Sequence, residues 1–388
     1  MNKSLRIAGI LNFFFNAYYW ILQTFLPILL SARGVSDIGI GGLISAYSSS
    51  AMVVMLPMGL LADRIKSKRL MVTAVLIQAI FPFCLLYFPA KAYPFLFMAS
   101  GAAYAMFLVS LNSSFYRTLP EENRGSLVGF FVGAGVLGYG MGPFVGGLVV
   151  DRFGYFVMFV LVLVINLVCL FLMPMLSDGK GLVVSFRSYA GDLAKPVVRW
   201  TLALQMIFSS HSGIEMAFLS LFLLKNIHLS RAIIGIFFSA IGLYMFVLLL
   251  ILGHRFDKRP RPMLLAAIGF TTSGIFQIAT GYTHDFWTTL AVRYCHTFGD
   301  ALIMLITNVL TSVAFSKERM GVGFGLMQIV RMGTIAGISP IGGWIASSYG
   351  YPGAFAFSGS ITILFALILF AAKPNLPHSY NSNDLVEY

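Results

Sequence analysis

Polar and basic breaks divide the chain into twelve apolar segments, at about residues 7–31, 39–62, 70–88, 93–116, 126–150, 155–176, 199–224, 231–253, 263–282, 286–312, 322–347 and 352–372. A helix needs roughly 20 mainly apolar residues to cross a ~30 Å hydrocarbon core, and these segments meet that length. The pattern predicts an all-α polytopic membrane protein with twelve transmembrane helices. Lys3 and Arg6 precede the first apolar run in the manner of a signal peptide. That run continues from Ile7 to Leu30 without a small-residue cleavage site, so it reads as the first span.

Composition agrees with the pattern. Of 388 residues, 58% are hydrophobic and only 10% charged, where a soluble domain carries about a quarter. Too little charge is present to solvate a globule in water, and little length remains for a soluble domain. The net charge of +12 would suit nucleic acid, but the basic residues sit in the short breaks between apolar segments, where they set membrane orientation. With both termini in the cytoplasm, nineteen basic residues fall on the cytoplasmic side and five on the other, which predicts that topology in the cell (cytoplasmic or inner) membrane. Cys84, Cys169 and Cys295 lie far apart within apolar stretches, with neither a disulfide framework nor a metal-ligand spacing.

The two halves of the chain repeat. Gly59 and Asp63-Arg64 recur 194 positions later as Gly253 and Asp257-Lys258, while Glu122, Gly125, Gly146-Gly147 and Gly154-Tyr155 recur 196 positions later. Six helices per half is an even number, so the repeats share one orientation, and a binding site between parallel halves is a transporter architecture. The expected organisation is a six-helix bundle over 1–176, a cytoplasmic linker over 177–198, a second bundle over 199–373 and a cytoplasmic tail over 374–388.

Two motifs resemble the major facilitator superfamily of secondary transporters, and the resemblance covers essentially the whole chain. The first is Gly59-x-x-x-Asp63-Arg64-x-Lys66-Ser67-Lys68-Arg69, which departs from the family pattern at Lys66 and Ser67. The resemblance implies a conformational latch of Gly59, Asp63, Arg64, Asp257 and Lys258 that holds the outward-facing state. The second is Gly129-x8-Gly138-x3-Gly142-Pro143-x2-Gly146-Gly147, which matches the family's span-five motif at every position. In the family that motif accompanies proton-driven antiporters, mostly drug exporters. Its plain physical content is close helix packing through small residues, with a bend at proline.

Ionisable side chains inside a span are costly and mark functional candidates. Glu215, Arg293, Asp300 and Arg331 fall there, accompanied by His211 and His296, all in the C-terminal half. His211 and Glu215 are one helical turn apart; Arg293, His296 and Asp300 form one stripe. Arg293 and Asp300 lie about 10 Å apart along their helix, so each is expected to meet a partner on another helix. Such groups either fix helix packing or carry protons. Under the second reading, Glu215, Asp300, His211 and His296 are the proton-coupling residues. The arrangement resembles the lactose-permease branch in outline, without a residue-by-residue match.

The N-terminal half offers neutral polarity: Asn12, Asn16, Tyr19 and Gln23 on one face of the first span, with Tyr104, Asn112 and Tyr116 in the fourth. Family geometry implies that these residues, with Arg293 and Arg331, wall a substrate cavity; interhelical contacts are the alternative. Two buried arginines favour an anionic or zwitterionic group over a cation. The leading expectation is a proton-coupled exporter, an H+ antiporter of an amphipathic or partly anionic drug or metabolite such as a siderophore. A proton symporter importing a sugar or organic acid is the alternative. No enzyme motif or Walker sequence is visible. The protein is expected to need no cofactor and no metal, to draw on the proton gradient, to bind no nucleic acid and to work in the lipid bilayer as a monomer.

Overall fold

A computed structural model describes residues 3–61, 67–120, 124–177, 191–256, 262–315 and 320–372. Eight uninterrupted helices are α1 (Lys3–Ala32), α2 (Asp37–Leu61), α3 (Ser67–Tyr87), α4 (Tyr93–Arg117), α7 (Pro196–Lys225), α8 (Arg231–Phe256), α9 (Pro262–Thr280) and α10 (Phe286–Ala314). Two longer stretches, Arg124–Leu172 and Met320–Ala372, are each broken at one glycine. Gly154 (φ 79°, ψ 178°) separates α5 (124–153) from α6 (155–172), and Gly350 (φ 73°, ψ 175°) separates α11 (320–349) from α12 (351–372). Both glycines adopt the left-handed conformation that a side chain disfavours, which explains why the Gly-Tyr pair repeats between the halves. Twelve helical segments of eighteen residues or more thus lie among the described residues, beside shorter turns such as 191–194.

Nine helical stretches there are long and apolar enough to cross a membrane. Two of the nine are those broken by glycine. α10 falls outside the set, and it is the helix that carries Arg293, His296 and Asp300. Large apolar side chains such as Phe171, Leu243, Leu250 and Leu364 stand exposed on the outer faces, as lipid requires. Pro27, Pro57, Pro82, Pro143 and Pro340 sit inside helices, which neighbouring helices make tolerable in a bilayer.

The span-five motif is a packing device with two faces. A Cβ on Gly138 would lie 2.3 Å from the Phe13 carbonyl oxygen, and one on Gly142 would lie 2.3 Å from that of Ala17; Gly146 abuts Ile21 and Phe25. Through these positions α5 rests backbone-to-backbone on α1. Gly147 faces the other half, with its added Cβ 2.7 Å from the Arg231 carbonyl oxygen and 3.0 Å from Gly235 Cα. The Pro143 carbonyl abuts Gly235, whereas Gly129 meets nothing within 4 Å.

The same joint recurs by pseudo-symmetry. Gly343 faces Asp37 and Ile38 of α2, and a Cβ on Gly41 would lie 2.3 Å from the Ser339 carbonyl oxygen. The halves therefore clasp along α5–α8 and α2–α11, reinforced by Ser239 Oγ donating to the Gly140 carbonyl (2.5 Å) and Ser45 Oγ to that of Ala336 (2.7 Å). Of the latch, Gly59 lies within α2, while Asp63, Arg64, Asp257 and Lys258 lie outside the described residues.

Candidate functional site

The ionisable residues of the C-terminal half converge between α7 and α10. His211 and Glu215 are presented by α7, and Arg293, His296 and Asp300 by α10, each set at helical spacing that puts it on one face. Arg293 Nη1 contacts Glu215 Oε1 at 2.6 Å and Gln277 Oε1 at 2.9 Å. Asp300 turns the other way, with Oδ1 3.3 Å from His211 Nε2 and Oδ2 3.2 Å from His296 Nε2. His296 Nε2 is also 3.0 Å from Glu215 Oε1. The helical rise along α10 keeps Arg293 and Asp300 apart, and each finds a partner on α7, as their spacing predicts.

α9 supplies support that the sequence reading overlooked. Ser273 Oγ donates to Asp300 Oδ1 (2.7 Å), and the Ser273 carbonyl oxygen lies 2.9 Å from His296 Nδ1. Gln277 accepts from Arg293 and donates to Ser358 Oγ at 3.3 Å. Ser273 and Gln277 are four residues apart within an apolar span, the same signal that drew attention to α10. That carbonyl can only accept, so His296 Nδ1 carries a hydrogen. His296 Nε2 then faces two carboxylates.

Beside this network is a cavity of about 70 Å³, lined from the N-terminal half by Trp20, Gln23, Thr24 and Tyr139. Glu215, Arg293 and Arg331 line it from the other half, with Ser212, Ser220 and apolar residues between. Gln23, Arg293 and Arg331 are thus where the sequence reading put them. Arg331 makes no ion pair with a described residue. A volume of this size holds two or so waters at ~30 Å³ each. Drug-sized ligands occupy roughly 300–1,000 Å³, so the chamber must widen to receive one.

The other expected cavity residues lie elsewhere in this conformation. Asn12 Nδ2 donates to the Phe131 carbonyl (2.8 Å) and Asn16 Nδ2 to the Asn12 carbonyl (2.8 Å), beside Gly135 and Gly138. They serve the α1–α5 joint, because the glycines bring α5 close enough to claim them. Asn112 Nδ2 turns back to the Leu108 carbonyl of its own helix. Tyr19 and Tyr104 stack at 4.9 Å within a buried cluster that includes Phe15 and Tyr47, and Tyr116 packs on Phe115. Trp20 and Tyr139, at 4.4 Å from each other, form the aromatic wall instead.

A polar chamber held between two helical bundles, with buried acids and bases along one wall, defines a membrane transport protein. The chain belongs to the Major Facilitator Superfamily, whose sequence profile it matches over residues 8–213 and again over 201–385. It is 22% identical to an uncharacterised MFS-type transporter of Methanocaldococcus jannaschii, over 95% of this chain and 98% of that one. Over 41% of each chain it is 28% identical to the multi-drug resistance efflux pump PmrA of Streptococcus pneumoniae. A crystal structure of a POT family transporter, bound to a thioalcohol-conjugated peptide, shares the fold with TM-score 0.76 over 96% of both chains at 14% identity. The protein is a multi-pass membrane transporter, and transporters of this family bind small-molecule substrates within the membrane.

Proposed function

We propose that the protein is a proton-coupled exporter of a small amphipathic or partly anionic organic compound, a drug or a metabolite of siderophore type. The observation that carries this reading is the His296 Nε2 position between Glu215 and Asp300, at 3.0 and 3.2 Å, with Glu215 on the wall of the chamber. An imidazole nitrogen within hydrogen-bond reach of two carboxylates is a group that can take and pass a proton. Arg293 already occupies Glu215, so an anionic substrate that draws the guanidinium away frees that carboxylate for the proton. Binding of solute and of proton are then linked through one residue pair. Arg331, without an ionic partner among the described residues, supplies a second anchor for an anionic group.

Export is favoured by the partial likeness to a multidrug efflux pump and by the complete span-five motif. Both termini are placed in the cytoplasm by the nineteen-to-five asymmetry of basic residues, in a cell membrane crossed by twelve helices. The working unit is a single chain, organised as bundles over 1–176 and 199–373, and no cofactor takes part.

Everted vesicles with an acid interior test this directly. A compound panel is added outside while the pH difference is followed. Compound-dependent proton release in the wild type, lost in Glu215→Gln and Asp300→Asn, is the expected result. Retention of full proton release by both variants would remove these acids from the mechanism. Proton uptake driven by a compound in right-side-out vesicles, with no discharge in everted ones, would replace export by symport.

A further inference from the structure

We infer that His211, His296 and Asp300 form a binding site for one divalent transition-metal ion of the zinc class. Ligand atoms from His211, His296 and Asp300 all lie within 4.8 Å of one another. Zinc binds nitrogen and oxygen at ~2.0–2.2 Å, which places neighbouring ligand atoms of a tetrahedron roughly 3.4 Å apart. The separations here are 3.3 Å from His211 Nε2 to Asp300 Oδ1 and 3.2 Å from His296 Nε2 to Asp300 Oδ2, so the carboxylate faces one imidazole with each oxygen. Two imidazoles and one carboxylate are a donor set that zinc accepts with its fourth position open, and Glu215, held by Arg293, stands beside it.

A second observation points to a ligand rather than to a closed set of hydrogen bonds. His211 is 1% exposed, yet its Nδ1 has no partner, and its Nε2, like that of His296, meets carboxylate oxygens at ion-pair distance without hydrogen-bond geometry. Buried polar atoms are rarely left so. The surroundings also follow the rule for metal-bound histidine, in which the distal ring nitrogen donates to a carbonyl and thereby fixes the ring. His296 Nδ1 meets the Ser273 carbonyl at 2.9 Å, and Ser273 Oγ orients the Asp300 carboxylate at 2.7 Å. Glu215 lines the chamber, which gives an ion its way in.

Metal and proton want the same lone pair. When the ion binds His296 Nε2, any proton there leaves to solvent, so binding weakens as pH falls. The other polar groups near the site are Arg293, which opposes the ion, together with Arg331 and Tyr139 across the chamber. A bound ion ties α7 to α10. If the coupling reading above holds, it also blocks proton exchange, but the site itself rests on ligand geometry and not on that reading.

The test uses the full chain purified through a tag without histidines, in nanodiscs, titrated with Co2+ as an optical stand-in for zinc. One tetrahedral Co2+ per chain, displaced by Zn2+, is expected at neutral pH. His211→Ala and His296→Ala should each weaken it at least tenfold, while His284→Ala, in an exposed loop, should leave it unchanged. His211→Cys should retain the ion and add a near-ultraviolet thiolate-to-cobalt band, which arises only if position 211 is a direct ligand. Absence of stoichiometric tetrahedral Co2+ in the folded wild type, or a folded His211→Cys that binds without that band, overturns the inference. Neither result depends on transport, so failure of the coupling reading leaves the metal test intact.

Discussion

Tyr351 donates its hydroxyl to Asp37 Oδ1 at 3.2 Å, joining the start of α12 to the first turn of α2 across the two halves. Lys225 Nζ donates to the same hydroxyl at 3.1 Å. The pseudo-equivalent pair is Tyr155 with Arg231, whose guanidinium lies 5.6 Å from the ring centroid, and Asp151 Oδ1 accepts from the Arg231 backbone at 3.2 Å. Each half thus docks a tyrosine on the first residue of the other half's second helix. Tyr351→Phe removes a bond to a carboxylate, roughly 1.5–3 kcal/mol, and should shift the population towards opening at this end about ten- to a hundredfold. Tyr155→Phe keeps its ring and should shift it little. Spin-label distances across α2 and α12 read both outcomes.

Glycine positions in α5 separate packing from tolerance. Gly142→Ala puts a Cβ 2.3 Å from the Ala17 carbonyl oxygen, and backbone has to move. Overpacking of this kind costs about 1–3 kcal/mol, so thermal unfolding in detergent should come several degrees earlier. Gly129→Ala, at the open end of the same motif, should melt as the wild type does.

Arg331 is offered as a substrate anchor without an ion pair of its own among the described residues. Arg331→Ala should weaken binding of an anionic substrate ten- to a hundredfold and leave thermal stability within error. Arg331→Lys should fall between, since a point charge replaces a planar fork. A stability loss in Arg331→Ala as large as in Gly142→Ala would make the residue structural.

Asp285 caps α10, its Oδ1 accepting from the Trp287 and Thr288 backbone and its Oδ2 from Thr288 Oγ1 at 2.6 Å. The Thr288 side-chain bond, with the backbone bonds, lowers its pKa below the ordinary carboxylate value. A depressed folded value means the cap contributes fully above the unfolded pKa of ~3.9 and is lost as pH falls through the lower, folded one. Hydrogen exchange at the Trp287 and Thr288 amides, corrected for intrinsic rate, should therefore accelerate only in that acid range. Asp285→Asn should remove the pH dependence.

The span boundaries, the 196-residue repeat and the charged stripe of α10 were legible because each is periodic along the chain. That Arg293 meets a partner on another helix followed from helical rise; that the helix is α7 did not. The placement of Asn12 and Asn16 was not legible, since polar spacing defines a helix face without saying what that face meets. Gly135 and Gly138, on a helix more than a hundred residues away, decided it. Trp20 and Tyr139 escaped notice for the opposite reason: an aromatic residue in an apolar span looks the same whether it walls a chamber or faces lipid. Ser273 and Gln277 carried a readable i,i+4 signal, but neutral groups stand out less than charges.

All of the described in-span charges belong to the C-terminal half, and with neutral histidines Glu215, Asp300, Arg293 and Arg331 cancel. On the coupling proposed above, an empty carrier reorients as an electrically silent body, whereas one with a proton on His296 moves a single positive charge. A membrane voltage works on such a charge at about 2.3 kcal/mol per 100 mV. Voltage should accordingly bias only the proton-bearing half of the cycle, leaving the return of the empty protein to thermal motion.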